Sequence, residues 1–245
     1  MEIGIFTIFM ALIFDIETVG EDFDTLDELT KFNLTRWIRR EAADDENKYN
    51  VMLADIKEGL GFSPLTGQIA AIGVFDTLKN QGVVYYQAPA VNSEETREEN
   101  FTFKPRTEKE MLENFWQGAK AYREFVSFNG RSFDVPFIIT RSAVHEIKPA
   151  VNLMSNRYLN SQRGAARHID LFDQLSFYGA VRRRGSLHLY CRAFNIKSPK
   201  AGGITGDDVN RLFQEKKYLE IAQYNSWDLI ATWELYKIWN EYFNI

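Results

Sequence analysis

The chain opens with an apolar run that ends abruptly in acid. Residues 11–14, Ala-Leu-Ile-Phe, carry no polar side chain and lead straight into Asp15. A short run that is apolar on both faces predicts a strand buried in the middle of a sheet. Gln68–Phe75 and Gly82–Gln87 predict two more strands, with Lys79-Asn80-Gln81-Gly82 as the turn between them. A fourth strand is expected over Glu124–Phe128, broken by Asn129-Gly130. Between the first two strands, residues 21–62 turn acidic and helical in period, which predicts an insertion of two surface helices near 24–42 and 46–59.

The second half reads as helix. Thr107-Glu108-Lys109-Glu110 is a capping box that starts a helix running to about Tyr122. Further helices are predicted near 135–147, 170–178, 186–194 and 207–214. A long amphipathic helix over about 217–243 draws much of its apolar surface from Leu219, Ala222, Trp227, Ile230, Leu235 and Ile238. Strands early and helices late, without repeats or low-complexity segments, predict an α/β or α+β fold on a mixed central sheet. At 245 residues, a single domain is expected.

Composition narrows the chemistry. The single cysteine, Cys191, excludes a disulfide framework and any multi-cysteine zinc site, and it fits a reducing, cytoplasmic setting. His145, His168 and His188 lack metal-ligand spacing. The formal charge of −5 does not suggest a phosphate binder, but the charge is unevenly spread. Asp15 to Leu60 holds 13 Asp/Glu against 6 Lys/Arg, whereas Arg141 to Lys200 holds 11 Lys/Arg against 3 Asp/Glu. The basic stretch is long enough to neutralise phosphates, and a solvated basic face is the plainer reading. The apolar residues 3–14 are too short to span a membrane and have no basic residue before them, so neither membrane insertion nor a leader peptide is expected. Met10 opens the strand well enough that residues 1–9 read as a dispensable extension.

Asp15-Ile16-Glu17 sits where the first strand ends. Residues two apart on a strand share a face, so the two carboxylates project together. Side by side at a buried strand end they repel and lose hydration, which a hard divalent cation offsets. A strand tip that simply exits into solvent is the ordinary alternative. Tyr224 and Asp228, four apart on the last helix, share a face as well, and a structural Tyr–Asp hydrogen bond would explain them equally. In Phe128-Asn129-Gly130-Arg131-Ser132-Phe133-Asp134-Val135-Pro136-Phe137, Asp134 is placed either to cap a helix or to reach a metal at the sheet end.

Taken in order, Asp-x-Glu, Asn-Gly-x-x-Phe-Asp and Tyr-x-x-x-Asp resemble the three exonuclease motifs of the DEDD superfamily, in its DEDDy subgroup. The middle motif resembles stand-alone proteins related to the proofreading domain of family-B DNA polymerases. The resemblance runs from about Leu12 to Tyr236, leaving out 21–62. It implies a ribonuclease-H-like fold, a five-stranded mixed sheet flanked by helices, with His168-Ile169-Asp170-Leu171 on the fifth strand and its exit. It also implies a 3′-5′ exonuclease acting on DNA or RNA and releasing nucleoside 5′-monophosphates by a two-metal-ion mechanism. Asp15, Glu17, Asp134 and Asp228 would hold two divalent cations, Mg²⁺ or Mn²⁺, and Tyr224 would orient the attacking water.

The implied partner is a nucleic-acid 3′ end, single-stranded by preference, contacted by Thr18, Val19, Asn129 and Phe133. Arg182, Arg183, Arg184, Lys197 and Lys200 are candidate phosphate contacts. A proofreading role would require a polymerase or repair partner. Two other readings remain. One is a haloacid-dehalogenase-like phosphohydrolase with Asp15 as nucleophile, Ser127 and Gly206-Asp207-Asp208 supplying its later motifs. It is weakened by Glu17 in place of aspartate and by the absence of a strand over 198–205. The other is a non-catalytic nucleic-acid-binding relative.

Overall fold

The computed structural model describes residues 10–89, 93–164, 166–183, 185–198, 203 and 205–244, with only the backbone of Asp207. The expected extension at 1–9, the candidate contacts Arg184 and Lys200, and most of 198–205 lie outside the described residues.

Along the chain the elements are β1 (Ala11–Gly20), α1 (Glu28–Ala42), α2 (Glu46–Gly59), β2 (Gly67–Asp76), β3 (Gln81–Tyr86), β4 (Thr96–Glu98) and β5 (Phe101–Pro105). They continue with α3 (Glu108–Ala119), β6 (Glu124–Ser127), α4 (Asp134–Val144), β7 (Arg167–Asp170), α5 (Leu171–Leu175), α6 (Leu187–Ala193), α7 (Val209–Gln214) and α8 (Tyr218–Tyr242). The strands form one sheet in the order β4-β5-β3-β2-β1-β6-β7. β1 is antiparallel to β2 and parallel to β6, and β6 is parallel to β7. The expected five strands are all present, but the sheet has seven. β5 pairs parallel to β3, and the three-residue β4 closes that edge antiparallel to β5. A short polar edge strand carries no alternation long enough to read from sequence.

Both faces of β1 are covered, which is why its sequence is apolar throughout. Leu12, Phe14 and Ile16 pack with α3 and α4, including Met111, Phe115, Val135 and Ile138. Ala11, Ile13 and Val19 pack with the α7 and α8 residues Val209, Leu212, Ile221, Leu229 and Leu235. The capping box at Thr107/Glu110 starts α3 as expected.

Two local features shape the end of β1. The pairing runs Glu17 with Ala71 and then Thr18 with Ile69, so Ala70 is skipped as an extra residue on β2. Past the skip, Ile69 N–H donates to Glu108 Oε1 at 2.8 Å, and Glu108 is clamped by Arg141 at 2.9 and 2.7 Å and by His145 Nε2 at 2.7 Å. The second feature is the excursion between β1 and β2. Helices α1 and α2 begin at the Asp27 and Asp45 caps. Their base is closed just past β1, where Glu21 N–H donates to Thr66 O at 2.9 Å, and is fastened to β1 by Thr18 Oγ1, which donates to Gly61 O at 2.7 Å. α1 leaves Leu29, Phe32 and Trp37 more than half exposed.

No helix among the described residues is long and apolar enough to cross a membrane.

Candidate active site

The site forms where β1, the β6–α4 turn and α8 meet. Strand alternation turns Asp15 and Glu17 toward α8, and helical periodicity brings Tyr224 and Asp228 to meet them. Asp15, Glu17 and Asp228 each present a carboxylate oxygen within 4.8 Å of the other two. Glu17 and Asp228 are buried and Asp15 is half-buried.

Asp134 lies against this cluster but outside its tight ring. It is the first residue of α4 and 3% exposed, and Phe133 occupies the N-cap position without a side-chain cap bond. Rather than capping, Asp134 Oδ1 accepts the N–H of Ile16 at 3.1 Å, between the two β1 acids. Gly130, in the turn before it, gives room to Ser127: a Cβ there would lie 2.2 Å from Ser127 Oγ, while its 3.5 Å approach to Asp134 Oδ2 is ordinary contact.

The turn before α4 is held from the neighbouring strand. Asp170 accepts the amides of Asn129 at 2.8 Å, Arg131 at 2.9 Å and Phe172 at 3.0 Å. Asn129 needs that support, because its φ of 66° lies in the left-handed region. Beneath it, His168 Nδ1 donates to Leu153 O at 3.1 Å, since a carbonyl only accepts; Nε2 then accepts from Ser127 Oγ at 2.8 Å. Burial lowers the His168 pKa to about 4, so the ring is neutral.

Four acids this close perturb one another. Burial, then Asp134, Asp228 and Glu17, push the Asp15 pKa well above the ordinary carboxylate range. Burial and Asp228 do the same to Glu17, while a hydrogen bond from Asn225 offsets part of the rise. Burial raises Asp134 to about 7 against the pull of the Ile16 amide and its own. Burial and then the adjacent acids raise Tyr224, which hydrogen-bonds Asp228, so it remains a neutral phenol. Buried acidic oxygens that destabilise one another's charge suit a hard divalent cation, whose charge relieves the repulsion.

The cluster opens into a cleft of about 380 Å³ lined by Asp15, Glu17, Tyr224 and Asp228, with Phe128, Asn129, Phe172 and Leu187 opposite. Phe128 and Phe172 meet edge to face at 5.6 Å. Ile16, Gly185 and Ser186 complete the lining, and the exposed Arg182 and Arg183 lie just before the last two.

The expected substrate contacts divide. Asn129 lines the cleft. Thr18 faces a separate recess of about 380 Å³ with Phe62, Asn210 and Arg211. Val19 is 2% exposed within the core, so its side chain has no surface to offer a nucleotide. Strand alternation places it on the α7–α8 face, beyond the carboxylates. Phe133 is half-buried, with its ring 5.6 Å from Phe137. Lys197 lines a different groove, beside Trp227. Asn225 and the Phe128–Phe172 wall were given no role from sequence, and Asp170 was placed only at the exit of the fifth strand. Asn225 stands inside the Tyr224–Asp228 spacing, but nothing in the pattern marks it.

Sheet order, flanking helices and the acidic cluster define an α/β domain of the ribonuclease-H-like kind with a carboxylate-lined cleft. The chain belongs to the family of predicted 3′-5′ exonucleases related to the exonuclease domain of PolB, whose model matches residues 77–242, more than half of the chain. The match includes Asp134, Tyr224 and Asp228 and begins after the strand that carries Asp15 and Glu17. Among solved structures, the chain is similar to the family B DNA polymerase of the hyperthermophilic archaeon Pyrobaculum calidifontis. The TM-score is 0.55 at 13% identity, over 94% of this chain and 24% of the polymerase, so the chain spans about a quarter of that protein's length. No curated protein matches the sequence.

Proposed function

We propose that the protein is a metal-dependent 3′-5′ exonuclease that hydrolyses the terminal phosphodiester of DNA or RNA and releases a nucleoside 5′-monophosphate. The observation that carries this reading is the ring of oxygens from Asp15, Glu17 and Asp228, within 4.8 Å of one another at the mouth of an open cleft. Asp15, Glu17 and Asp228 would hold one divalent cation, Mg²⁺ or Mn²⁺, and Asp134, adjoining through Ile16, would complete a second site with Asp15. Bound there, the cations supply charge neutralisation at the phosphate and a lowered pKa for water.

The remaining chemistry belongs to the chain. The Tyr224 phenol donates to Asp228 in the free protein and can turn the same proton or lone pair to a water beside the scissile phosphate. The Asn129 turn, fixed by Asp170, presents backbone at the cleft edge for the terminal nucleotide. Phe128 and Phe172 offer an apolar wall for its base or sugar. The phosphohydrolase reading loses support: Ser127 is fully buried and bonded to His168, and residues 206–208 form a 3-10 turn rather than a strand end.

The test is to incubate 3′- and 5′-labelled single-stranded DNA and RNA with Mg²⁺ or Mn²⁺, comparing wild type with Asp15→Ala. The expected result is stepwise shortening from the 3′ end that needs the metal and disappears in the variant. Shortening from the 5′ end, or undiminished activity in Asp15→Ala, overturns the proposal.

A further inference from the structure

Besides the Tyr224 phenol, the acidic cluster holds a neutral amide donor. Asn225 is fully buried on α8, one residue after Tyr224 and three before Asp228. Its Nδ2 donates to Asp15 Oδ2 at 2.8 Å, and its carboxamide also hydrogen-bonds Glu17. Its Oδ1 is buried without a hydrogen-bond partner. That oxygen points at Gly73, the residue paired with Asp15 across the β1–β2 ladder. A Cβ on Gly73 would lie 1.9 Å from Asn225 Oδ1 and 2.6 Å from Leu229 Cδ1. The amide reaches the acids only because β2 has no side chain at this point.

We propose that Asn225 is a positioning residue for the Asp15–Glu17 pair, and that Gly73 is the opening in the sheet that admits it. This rests on the reading that the pair holds divalent cations. By occupying Asp15 Oδ2, the amide fixes the carboxylate's rotation and leaves the other oxygen free for a cation. An amide suits the position for reasons of charge. Lysine or arginine would neutralise the acids and compete with the cation. Aspartate would add a further negative charge and remove the donor. An aliphatic side chain would leave a buried carboxylate oxygen unpaired. The reverse orientation of the amide would set Oδ1 against the Asp15 carboxylate, so the hydrogen bond also fixes which way Asn225 faces. Partners of this kind, which orient a ligand without touching the metal, typically cost about 10- to 100-fold in affinity or activity when removed.

The experiment titrates Mn²⁺ by calorimetry and by electron paramagnetic resonance into wild type, Asn225→Ala, Gly73→Ala, the double variant and Asp15→Ala. Melting temperature and circular dichroism are recorded for each. Asn225→Ala and Gly73→Ala are each expected to weaken Mn²⁺ binding by about 10- to 100-fold. The Mn²⁺ concentration for half-maximal hydrolysis should rise in parallel, with turnover recovering at saturating metal. In the double variant, Gly73→Ala should weaken affinity little further, because the closer of the methyl's two contacts is gone and only the movable end of Leu229 remains against it.

Affinity within twofold of wild type in Asn225→Ala overturns the inference, whatever happens to its melting temperature. If Asn225→Ala does not fold, Gly73→Ala decides by the same criterion. Failure of the underlying reading looks different: wild type would bind no Mn²⁺, or Asp15→Ala would bind it as well as wild type does.

Discussion

Asp170 Oδ1 accepts the backbone N–H of Asn129 at 2.8 Å, and its second oxygen accepts the N–H of Arg131. The carboxylate thereby holds a left-handed residue at the edge of the cleft. Asp170→Asn should turn an NH₂ toward one of those amides and leave a buried donor unsatisfied, a cost of about 1–3 kcal/mol. The expected outcome is a lower urea midpoint with an unchanged slope, together with weaker binding of a nucleoside 5′-monophosphate. A variant as stable as wild type would show that the turn holds itself.

The acids make stability depend on pH in an unusual sense. A carboxylate with a raised folded-state pKa contributes stability below its unfolded value and loses it as pH rises through the folded value. Asp134, raised from 3.8 to about 7, and the raised Asp15 and Glu17 all act in this direction. With chelator present, these three acids outweigh the opposing His168, so the melting temperature should fall as pH increases from about 4 to 7. On the proposed reading that the ionised acids bind it, saturating Mn²⁺ should reverse the trend at the upper end. A chelated protein whose melting temperature climbs across that window contradicts this assignment.

His168 acts in the opposite sense. Its pKa is lowered from 6.5 to about 4, so its contribution is complete above 6.5 and lost as pH falls through 4. Gly130→Ala should disturb the same network, because the added methyl meets Ser127 Oγ at 2.2 Å and must displace it from His168. A loss of roughly 1–3 kcal/mol is expected from overpacking of this kind, read as a drop in the denaturation midpoint.

Tyr224→Phe keeps the ring and removes only the hydroxyl. Mn²⁺ affinity should remain near wild type while turnover falls about 10²-fold, the scale of a misplaced reacting group. Quench-flow at saturating metal separates the two quantities. A large loss of metal affinity would instead make the phenol part of the ligand support.

Arg182 and Arg183 are exposed immediately before the cleft-lining Gly185 and Ser186. Replacing both with alanine should weaken single-stranded DNA binding uniformly across sequences. The salt slope should become shallower by about 0.7 for each phosphate that an arginine no longer neutralises. Fluorescence anisotropy at several salt concentrations measures this, and an unaltered slope would place the strand's path elsewhere.

Much of this site could be read from local spacing. A two-residue step on a strand pairs Asp15 with Glu17, and a four-residue step on a helix pairs Tyr224 with Asp228, because each relation lies within a single element. Relations that cross the sheet were invisible. Gly73 has meaning only beside Asn225, and no periodicity links the two. Asp170 stands at a strand exit, yet the amides it holds belong to the turn after another strand. Val19 was expected to touch substrate because it follows the motif, whereas the sheet continues past the acids and draws it into the core. β4 and β5 were missed because Thr96-Arg97-Glu98 carries no apolar alternation and Phe101-Thr102-Phe103 is too brief to stand out between a turn and a helix cap.

The contact between Glu21 N–H and Thr66 O, 2.9 Å apart, means that the α1–α2 excursion leaves and returns at the same point. β1 and β2 are already neighbours there, so 22–65 amount to an oversized loop on an ordinary antiparallel pair. Replacing that span with a tight glycine-asparagine connection would leave the rest of the ladder in register. Protein shortened in this way, set beside the full chain on short and long oligonucleotides, would reveal whether the helical arm grips the strand at a distance or merely rides on the sheet.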